Sequence, residues 1–220
     1  WTSQAGLLPN RTGRVILSRT TTEQSTSPLL TINVESGGRQ WAEFSIQGSI
    51  HQLANHADTG QIAVLSQDDS GMTLSVAMAA FPNEVAEVIE QGTLALSKRP
   101  FSPSGGKLVF LEHTESEDGH AVVQSRYNRQ DRVALGTAYD AQWLPESDDL
   151  IVVAPDHAGR HQLWRVSSHD GESRQQLTFV DTGLGNAVAV SDDGQFVVAA
   201  RPDSNAFVIV ALAETDAPSP

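Results

Sequence analysis

The sequence has no cysteine, only 14 lysine and arginine residues among 220, and no long apolar run. The lack of cysteine excludes disulfides, cysteine-rich metal sites and a cysteine nucleophile. Because 27 acidic residues bring the formal net charge to −13, the chain repels phosphate backbones, and we expect no nucleic-acid binding. No window approaches 18 uninterrupted apolar residues, so the sequence predicts no membrane insertion within this chain.

The start of the chain shows no signal peptide, and its first residue is Trp1 rather than methionine. We therefore interpret the chain as a processed or trimmed product, from which an export signal or an anchoring helix could have been removed. Its length allows one sizeable domain or two small ones.

A turn followed by an apolar strand recurs five times. The intervals between successive turns are 47, 46, 43 and 45 residues, and the turn positions are Gly13, Gly60, Gly106, Asp149 and Gly194. A fixed period of this length indicates a repeat architecture, and about 40–45 residues form one four-stranded propeller blade. The sequence therefore predicts an all-β fold, a β-propeller of about five four-stranded blades or part of a larger propeller.

Each repeat divides into four short strands, of which the second is the most apolar and the fourth is polar. We predict first strands at 49–53, 94–98, 138–143 and 185–190, and second strands at 15–18, 62–65, 108–111, 150–154 and 196–199. Third strands are predicted at 29–34, 73–79, 121–127, 162–166 and 206–212, and fourth strands at 39–44, 84–89, 132–135 and 174–178.

Two assignments need a choice between alternatives. Residues Asn83–Gln91 fit a two-turn helix with a cap at Asn83, but their place in the repeat favours a strand. Residues 1–8 are either the first inner strand or a strand that closes the last blade. We assign residues 1–213 to one propeller domain and the polar, proline-containing residues 214–220 to a frayed tail.

Three segments carry a family resemblance: Ser-Pro-Ser-Gly-Gly-Lys-Leu-Val-Phe-Leu at 102–111, Gln-Leu-Trp-Arg-Val at 162–166, and Asp-Gly-Glu-Ser-Arg-Gln-Gln-Leu-Thr at 170–178. They resemble the repeat of TolB-like (WD-like) propellers, which runs Ser-Pro-Asp-Gly-Lys, an apolar strand, an Ile-Tyr or Leu-Trp strand, Gly-Gly and Leu-Thr. The first two units keep only the glycine. Similar proteins usually have six to eight blades, so five blades imply a small propeller or a piece of a larger one.

The resemblance also bears on function. TolB-like repeats occur in the Tol-Pal envelope protein, in the propellers of prolyl-oligopeptidase-like peptidases and in periplasmic sensor domains. The resemblance therefore implies a periplasmic or extracytoplasmic protein, and it leaves the partner open.

No catalytic motif is present in the sequence. A Gly-x-Ser-x-Gly nucleophile elbow is missing, Gly106-Lys107 lacks the spacing of a phosphate loop, and the acidic turns do not follow a calcium-loop pattern. We therefore predict no catalytic, cofactor-binding or metal-binding residues and no cofactor.

A cluster of histidines suggests a metal site. His157, His161 and His169 fall within 13 residues, but residues four apart on one strand face lie about 13 Å apart, too far to share an ion. We interpret them as exposed loop residues. His51 differs because it lies on an inner strand, which lines the channel of a propeller, so it is a candidate ligand contact. The alternative is a structural role for His51, and the separation of fold from function favours that role over a ligand contact.

Aromatic residues divide into core and contact candidates. Trp143, Phe101 and Val190 share one position in the repeat, which predicts core packing. Trp164 occupies the aromatic position of the third strand and is also assigned to packing. Trp41 has a less regular context, and we take it as a candidate for a contact on one face.

The sequence favours a non-catalytic interaction or sensor module of a bacterial envelope protein, which binds a protein or a small ligand through one face of the disc. The physical reason is that blade loops converge around a channel into a rigid platform. The alternative is a propeller domain of a peptidase-like or other enzyme whose catalytic part lies outside this chain. A catalytic role for His51 predicts that His51→Ala loses turnover.

Overall fold

The computed structural model describes residues 14–18, 29–33, 39–42, 46–56, 58–78, 86–113, 119–202 and 204–212, the first three ranges by their backbone pairing. All regular elements in these ranges are strands, and the chain divides into two compact units, residues 1–101 and 102–220. The prediction of a single domain over 1–213 stays a prediction, and the tail 214–220 lies outside the described residues.

Eighteen strands are described. They are β1 (Arg14–Ser18), β2 (Leu29–Asn33), β3 (Arg39–Ala42), β4 (Ser49–Asn55), β5 (Gln61–Asp68), β6 (Gly71–Met78), β7 (Glu87–Gly92), β8 (Leu94–Phe101), β9 (Lys107–His113), β10 (Gly119–Ser125), β11 (Arg132–Thr137), β12 (Asp140–Trp143), β13 (Asp149–Pro155), β14 (His161–Ser167), β15 (Arg174–Gln176), β16 (Val188–Val190), β17 (Phe196–Ala200) and β18 (Phe207–Ala211).

The strands form five sheets in which chain neighbours are sheet neighbours. Their orders are β1-β2-β3, β4-β5-β6-β7, β11-β10-β9-β8, β12-β13-β14-β15 and β16-β17-β18. This meander pattern confirms the predicted all-β repeat. The segment for which helix and strand competed is strand over Glu87–Gly92, while residues 83–85 lie outside the described part.

In two of the sheets a serine closes the turn between the first and the second strand. Ser102 Oγ accepts a hydrogen bond from the N–H of Lys107 at 3.0 Å, and Ser191 Oγ accepts one from the N–H of Phe196 at 2.9 Å. His56 occupies the equivalent position in the second sheet, and its Nδ1 accepts from the N–H groups of Asp58 and Thr59, each at 3.2 Å. The Ser-Pro motif therefore has a structural role, and His56 replaces the serine.

Two turn positions differ from the sequence assignment. The third turn places Gly105 in the left-handed region at φ 71°, one residue before Gly106. In the fourth turn the left-handed residue is Glu146 at φ 60°, three residues before Asp149. The four described turns have the same length, because in each of them an N–H at the start of the turn donates to the carbonyl five residues later. They differ in which residue of the turn takes the left-handed conformation, so the position of a glycine in the sequence does not identify it.

Each unit has an apolar core between its sheets. In unit 1, Ile50, Ile62 and Val64 pack together with Ile46, Ala77 and Ala86. In unit 2, residues of β13 and β14 pack against β16 and β17, with Ile151, Leu163 and Val197 fully buried. Phe101, Trp143 and Val190, which share one repeat position, are all buried, so the predicted core role of this position is confirmed.

Glutamines on the first strands tie consecutive sheets together. In unit 1 the Oε1 of Gln52 accepts a hydrogen bond from the N–H of Leu96 at 2.9 Å. In unit 2 the Nε2 of Gln142 donates to the carbonyl of Val188, whose own N–H donates to Asp140 Oδ2 at 3.1 Å. Gln142 is buried and Gln52 is exposed, so only the contact in unit 2 satisfies the backbone of the next sheet from inside the core.

No helix able to cross a membrane occurs among the residues that the structure describes.

Candidate functional site

His51, the candidate ligand contact, is exposed on β4. The pairing of β4 with β5 shifts register between Ile50 and Gln52, so His51 is the extra residue of a β-bulge. Bulges often redirect a side chain next to a functional site. Its role as a contact stays a prediction.

The other predicted contact, Trp41, pairs through its backbone with Leu30, and its side chain lies outside the described part. Of the histidines that we assigned to exposed loops, His157 and His169 are exposed, and His169 Nε2 lies 3.7 Å from Asp148 Oδ2. His161, in contrast, is half-buried rather than exposed: it begins β14, and its ring stacks on that of Tyr139 with the centroids 3.8 Å apart. Among the described residues, no group of three potential metal ligands forms.

The turn between β13 and β14 holds an arginine in one orientation. The Asp156 side chain is only 1% exposed, and its Oδ1 accepts from the N–H groups of Ala158 and Arg160 at 2.8 and 2.9 Å. Its Oδ2 accepts from Nε and Nη2 of Arg160, both at 2.9 Å. Both contacts go to the same carboxylate oxygen and hold the guanidinium against the buried Asp156, and the Arg160 side chain as a whole is 37% exposed.

The remaining guanidinium nitrogen points to a weakly held carboxylate. Arg160 Nη1 lies 3.5 Å from Asp181 Oδ1, and the Asp181 side chain is 99% exposed. An ion pair this open to water contributes little, so the carboxylate of a partner could replace Asp181 at small cost.

The loop that carries Asp181 is itself anchored. Gln162 is fully buried, and its side-chain amide binds both backbone groups of Val180. Its Nε2 donates to the Val180 carbonyl at 2.8 Å, and its Oε1 accepts from the Val180 N–H at 3.0 Å. The same Oε1 also accepts from Thr178 Oγ1 at 2.8 Å. Phe179 lies between these anchors and is 77% exposed. A rigid backbone thus presents a large aromatic ring to solvent.

We call the exposed and half-buried groups of this region the Arg160 surface, formed by Arg160, Phe179, Asp181 and the stacked pair Tyr139 and His161. The Leu184 N–H donates to the His161 carbonyl at 2.9 Å, which ties the loop to β14. A guanidinium held by a buried carboxylate, with an exposed aromatic ring on the loop that carries its second carboxylate partner, suits recognition of a carboxylate with an apolar neighbour.

The sequence reasoning missed this surface. It identified residues 156–159 as a polar hairpin and did not connect them with Arg160 or with the later loop. The sequence did contain a signal for the first contact, because Asp156 precedes Arg160 by four residues across a turn that contains Gly159. The contact between Arg160 and Asp181 could not be predicted, since it depends on the tertiary structure.

Acid should weaken the turn at Asp156. Burial raises the pKa of Asp156, but hydrogen bonds from the backbone and guanidinium of Arg160 and from the N–H of Ala158 outweigh it and lower the pKa from 3.8 to about 2. A carboxyl whose pKa is depressed in the folded state contributes stability above its unfolded pKa and loses it as pH falls towards the folded value. We therefore expect the melting temperature to fall more steeply between pH 3.8 and about 2 in the wild type than in Asp156→Asn.

Scanning calorimetry at a series of pH values measures this difference. Asp181→Asn is the control because it removes an exposed carboxylate from the same surface, and it should keep the wild-type slope. Equal slopes for wild type and Asp156→Asn would show that the turn does not contribute to the acid transition.

The comparison with solved structures places this geometry in a known fold. TolB from Acinetobacter baumannii matches with a TM-score of 0.65 and 18% identity, over 92% of this chain and 51% of that one. A TolB candidate from Agrobacterium tumefaciens matches with a TM-score of 0.64 and 12% identity, over 87% of this chain and 68% of that one. A prolyl endopeptidase matches with a TM-score of 0.60 and 14% identity, over 85% of this chain and 30% of that one.

The fold of the chain is that of a TolB-like β-propeller, present as five sheets, and the resemblance deduced from the repeat is confirmed. The chain covers 51% of the length of the Acinetobacter protein. No protein-family model matches the sequence, and no curated protein matches it.

Proposed function

We propose that the chain is a non-catalytic interaction or sensor domain of a bacterial envelope protein, in a periplasmic or extracytoplasmic location, and that it binds its partner through the Arg160 surface. The observation that carries the proposal is that the Arg160 guanidinium, held by the buried Asp156, reaches Asp181 on a loop whose Phe179 ring is 77% exposed. The fold likeness to TolB supports the class of protein and leaves the partner open.

The surface favours a ligand of defined chemistry. Arg160 offers one nitrogen to a weakly paired, fully solvated carboxylate, and Phe179 offers apolar area. We therefore propose a protein segment that carries an acidic residue next to an aromatic or aliphatic one.

Asp181→Asn tests this directly because Asp181 competes with the ligand for Arg160. Fluorescence anisotropy against labelled peptides containing Glu-Phe or Asp-Leu pairs should show binding that strengthens about three- to tenfold in Asp181→Asn and weakens about tenfold in Phe179→Ala. Peptides with Gln and Asn in place of the acids should bind weakly to both forms.

Two matched variants control for net charge and for aromatic area. Asp148→Asn removes a carboxylate that is 64% exposed, and Tyr127→Ala removes a ring that is 81% exposed, both away from the Arg160 surface. Neither should change the affinity by more than about twofold. Affinity that rises equally in Asp148→Asn and Asp181→Asn would mean that only net charge matters, and the site would be wrong.

A propeller domain of an enzyme is the second candidate. Its specific support is His51, which is exposed at a β-bulge, and the fold is also shared with a prolyl endopeptidase. Turnover of a fluorogenic proline-containing peptide that disappears in His51→Ala would support it. If the wild-type chain does not turn over this peptide, His51 has no catalytic role towards that substrate.

A further inference from the structure

The turn between β4 and β5 has a histidine at the position where two other sheets have a serine. The N–H of His56 donates to the carbonyl of Gln61 at 2.8 Å, as the first residue of each described turn of this kind does five residues on. The equivalent residues are Ser102 in the third sheet and Ser191 in the fifth, and each hydroxyl accepts a backbone N–H. A hydroxyl accepts at any pH, whereas histidine is the side chain whose charge changes between about pH 5 and pH 8.

The hydrogen bonds of His56 require one protonation state of its ring. Its Nδ1 accepts from the N–H groups of Asp58 and Thr59, each at 3.2 Å. A ring nitrogen accepts only when it carries no proton, and both nitrogens of an imidazolium are donors. Protonation of Nδ1 would therefore direct one N–H at two others and remove the acceptor that the side chain supplies to the turn.

Packing holds the imidazole in its place. His56 is only 7% exposed, and its ring meets that of Phe101 on β8 at 75°, with the centroids 5.8 Å apart. A half-turn of the imidazole would exchange Nδ1 for a ring carbon, which is no acceptor. In the closed turn, an imidazolium therefore has no orientation that satisfies the two N–H groups.

The charged neighbours give an imidazolium little compensation. Arg99 projects from the same side of β8 as Phe101, about 7 Å further along the strand, and its cation disfavours a second one. The charged residue of β5, Asp68, lies at the far end of that strand. Asp58 within the turn is exposed, so water weakens its attraction for a cation.

We propose that the β4–β5 turn is a pH-sensitive element, closed while Nδ1 of His56 is unprotonated and opened when His56 takes up a proton. Opening withdraws the imidazole from Phe101. The stabilisation by the two hydrogen bonds is present at pH 7.5 and is lost as the pH falls through the range in which histidine is protonated. The turns that begin at Ser102 and Ser191 stay closed over this range. The element lies in unit 1 and is independent of the Arg160 surface of unit 2.

Amide hydrogen exchange of the full chain, followed by NMR, tests this proposal without any substitution. Between pH 7.5 and pH 5, the protection factors of the Asp58 and Thr59 amides, corrected for the intrinsic effect of pH on exchange, should fall at least tenfold. The Lys107 amide, which donates to Ser102 Oγ, is the internal reference and should change by no more than about twofold. Imidazole nitrogen-15 shifts should show Nδ1 of His56 unprotonated at pH 7.5 and protonated at pH 5.

Three variants show whether the histidine itself is the sensor. His56→Ser introduces the residue of the third and fifth turns. Its melting temperature should fall between pH 7.5 and pH 5 by at least about 4 °C less than that of the wild type. His51→Ser removes an exposed histidine of the same sheet, and Asp58→Asn removes the carboxylate within the turn. Both should keep the wild-type fall.

Several results would overturn the proposal. One is a proton on Nδ1 of His56 at pH 7.5, and another is a ring that stays unprotonated at pH 5. Asp58 and Thr59 amides that remain protected beside a protonated ring would show that the turn does not open. An equal loss of protection at Lys107 would mean that acid loosens the chain as a whole. A fall in melting temperature that His56→Ser shares with the wild type, or that Asp58→Asn abolishes, would assign the pH dependence to another group.

Discussion

Phe110→Ala is expected to lower the free energy of unfolding by about 3–5 kcal/mol, because it removes an aromatic side chain from a position where the surroundings cannot collapse. Phe110 is fully buried on β9, directly opposite Val122 of β10, and both neighbours Val109 and Leu111 are buried as well. Close packing on every side leaves a cavity after truncation. Urea unfolding followed by tryptophan fluorescence measures the loss.

The control is another phenylalanine in the same unit. Phe179→Ala removes a ring that is 77% exposed, so it should change stability by no more than about 0.5 kcal/mol. If Phe110→Ala cost less than about 1 kcal/mol, the β9–β10 region would not be a packed core.

Gln162→Leu is expected to cost about 2–4 kcal/mol, although leucine is similar in size and more apolar. The substitution leaves the N–H of Val180 and the hydroxyl of Thr178 without the acceptor that Gln162 Oε1 provides, while the Val180 carbonyl keeps its hydrogen bond from the N–H of Gly183. Each buried polar group left unpaired costs about 1–3 kcal/mol. Thermal unfolding should show a decrease of about 5–12 °C for a chain of this size.

Gln175→Leu is the matched control, because Gln175 is exposed on β15 and the chemical change is the same. Its effect should stay within about 0.5 kcal/mol. Since the loop anchored by Gln162 also carries Phe179 and Asp181, Gln162→Leu should in addition weaken peptide binding at temperatures where it remains folded. Stability equal to that of Gln175→Leu would show that the amide network is not needed.

The strands could be predicted because their signals are local. Runs of alternating or continuous apolar residues ended by glycine, aspartate and serine turns identified the second strands, and the structure lengthens them by only a few residues, as in Gln61–Asp68 against 62–65. The role of the threonine in the Leu-Thr motif could be seen only in the structure, because the Thr178 hydroxyl donates to Gln162, 16 residues earlier in the chain. The same holds for Asp181, whose partner Arg160 lies in the preceding hairpin.

The sequence by itself determined the repeat, its all-β character and the burial of one shared position, because each depends on a periodicity of apolar residues and turns. Only the tertiary structure decided which polar residues meet across loops and which aromatic ring lies against His56. Those features arise from contacts between residues distant in the chain, and local pattern carries no information about them.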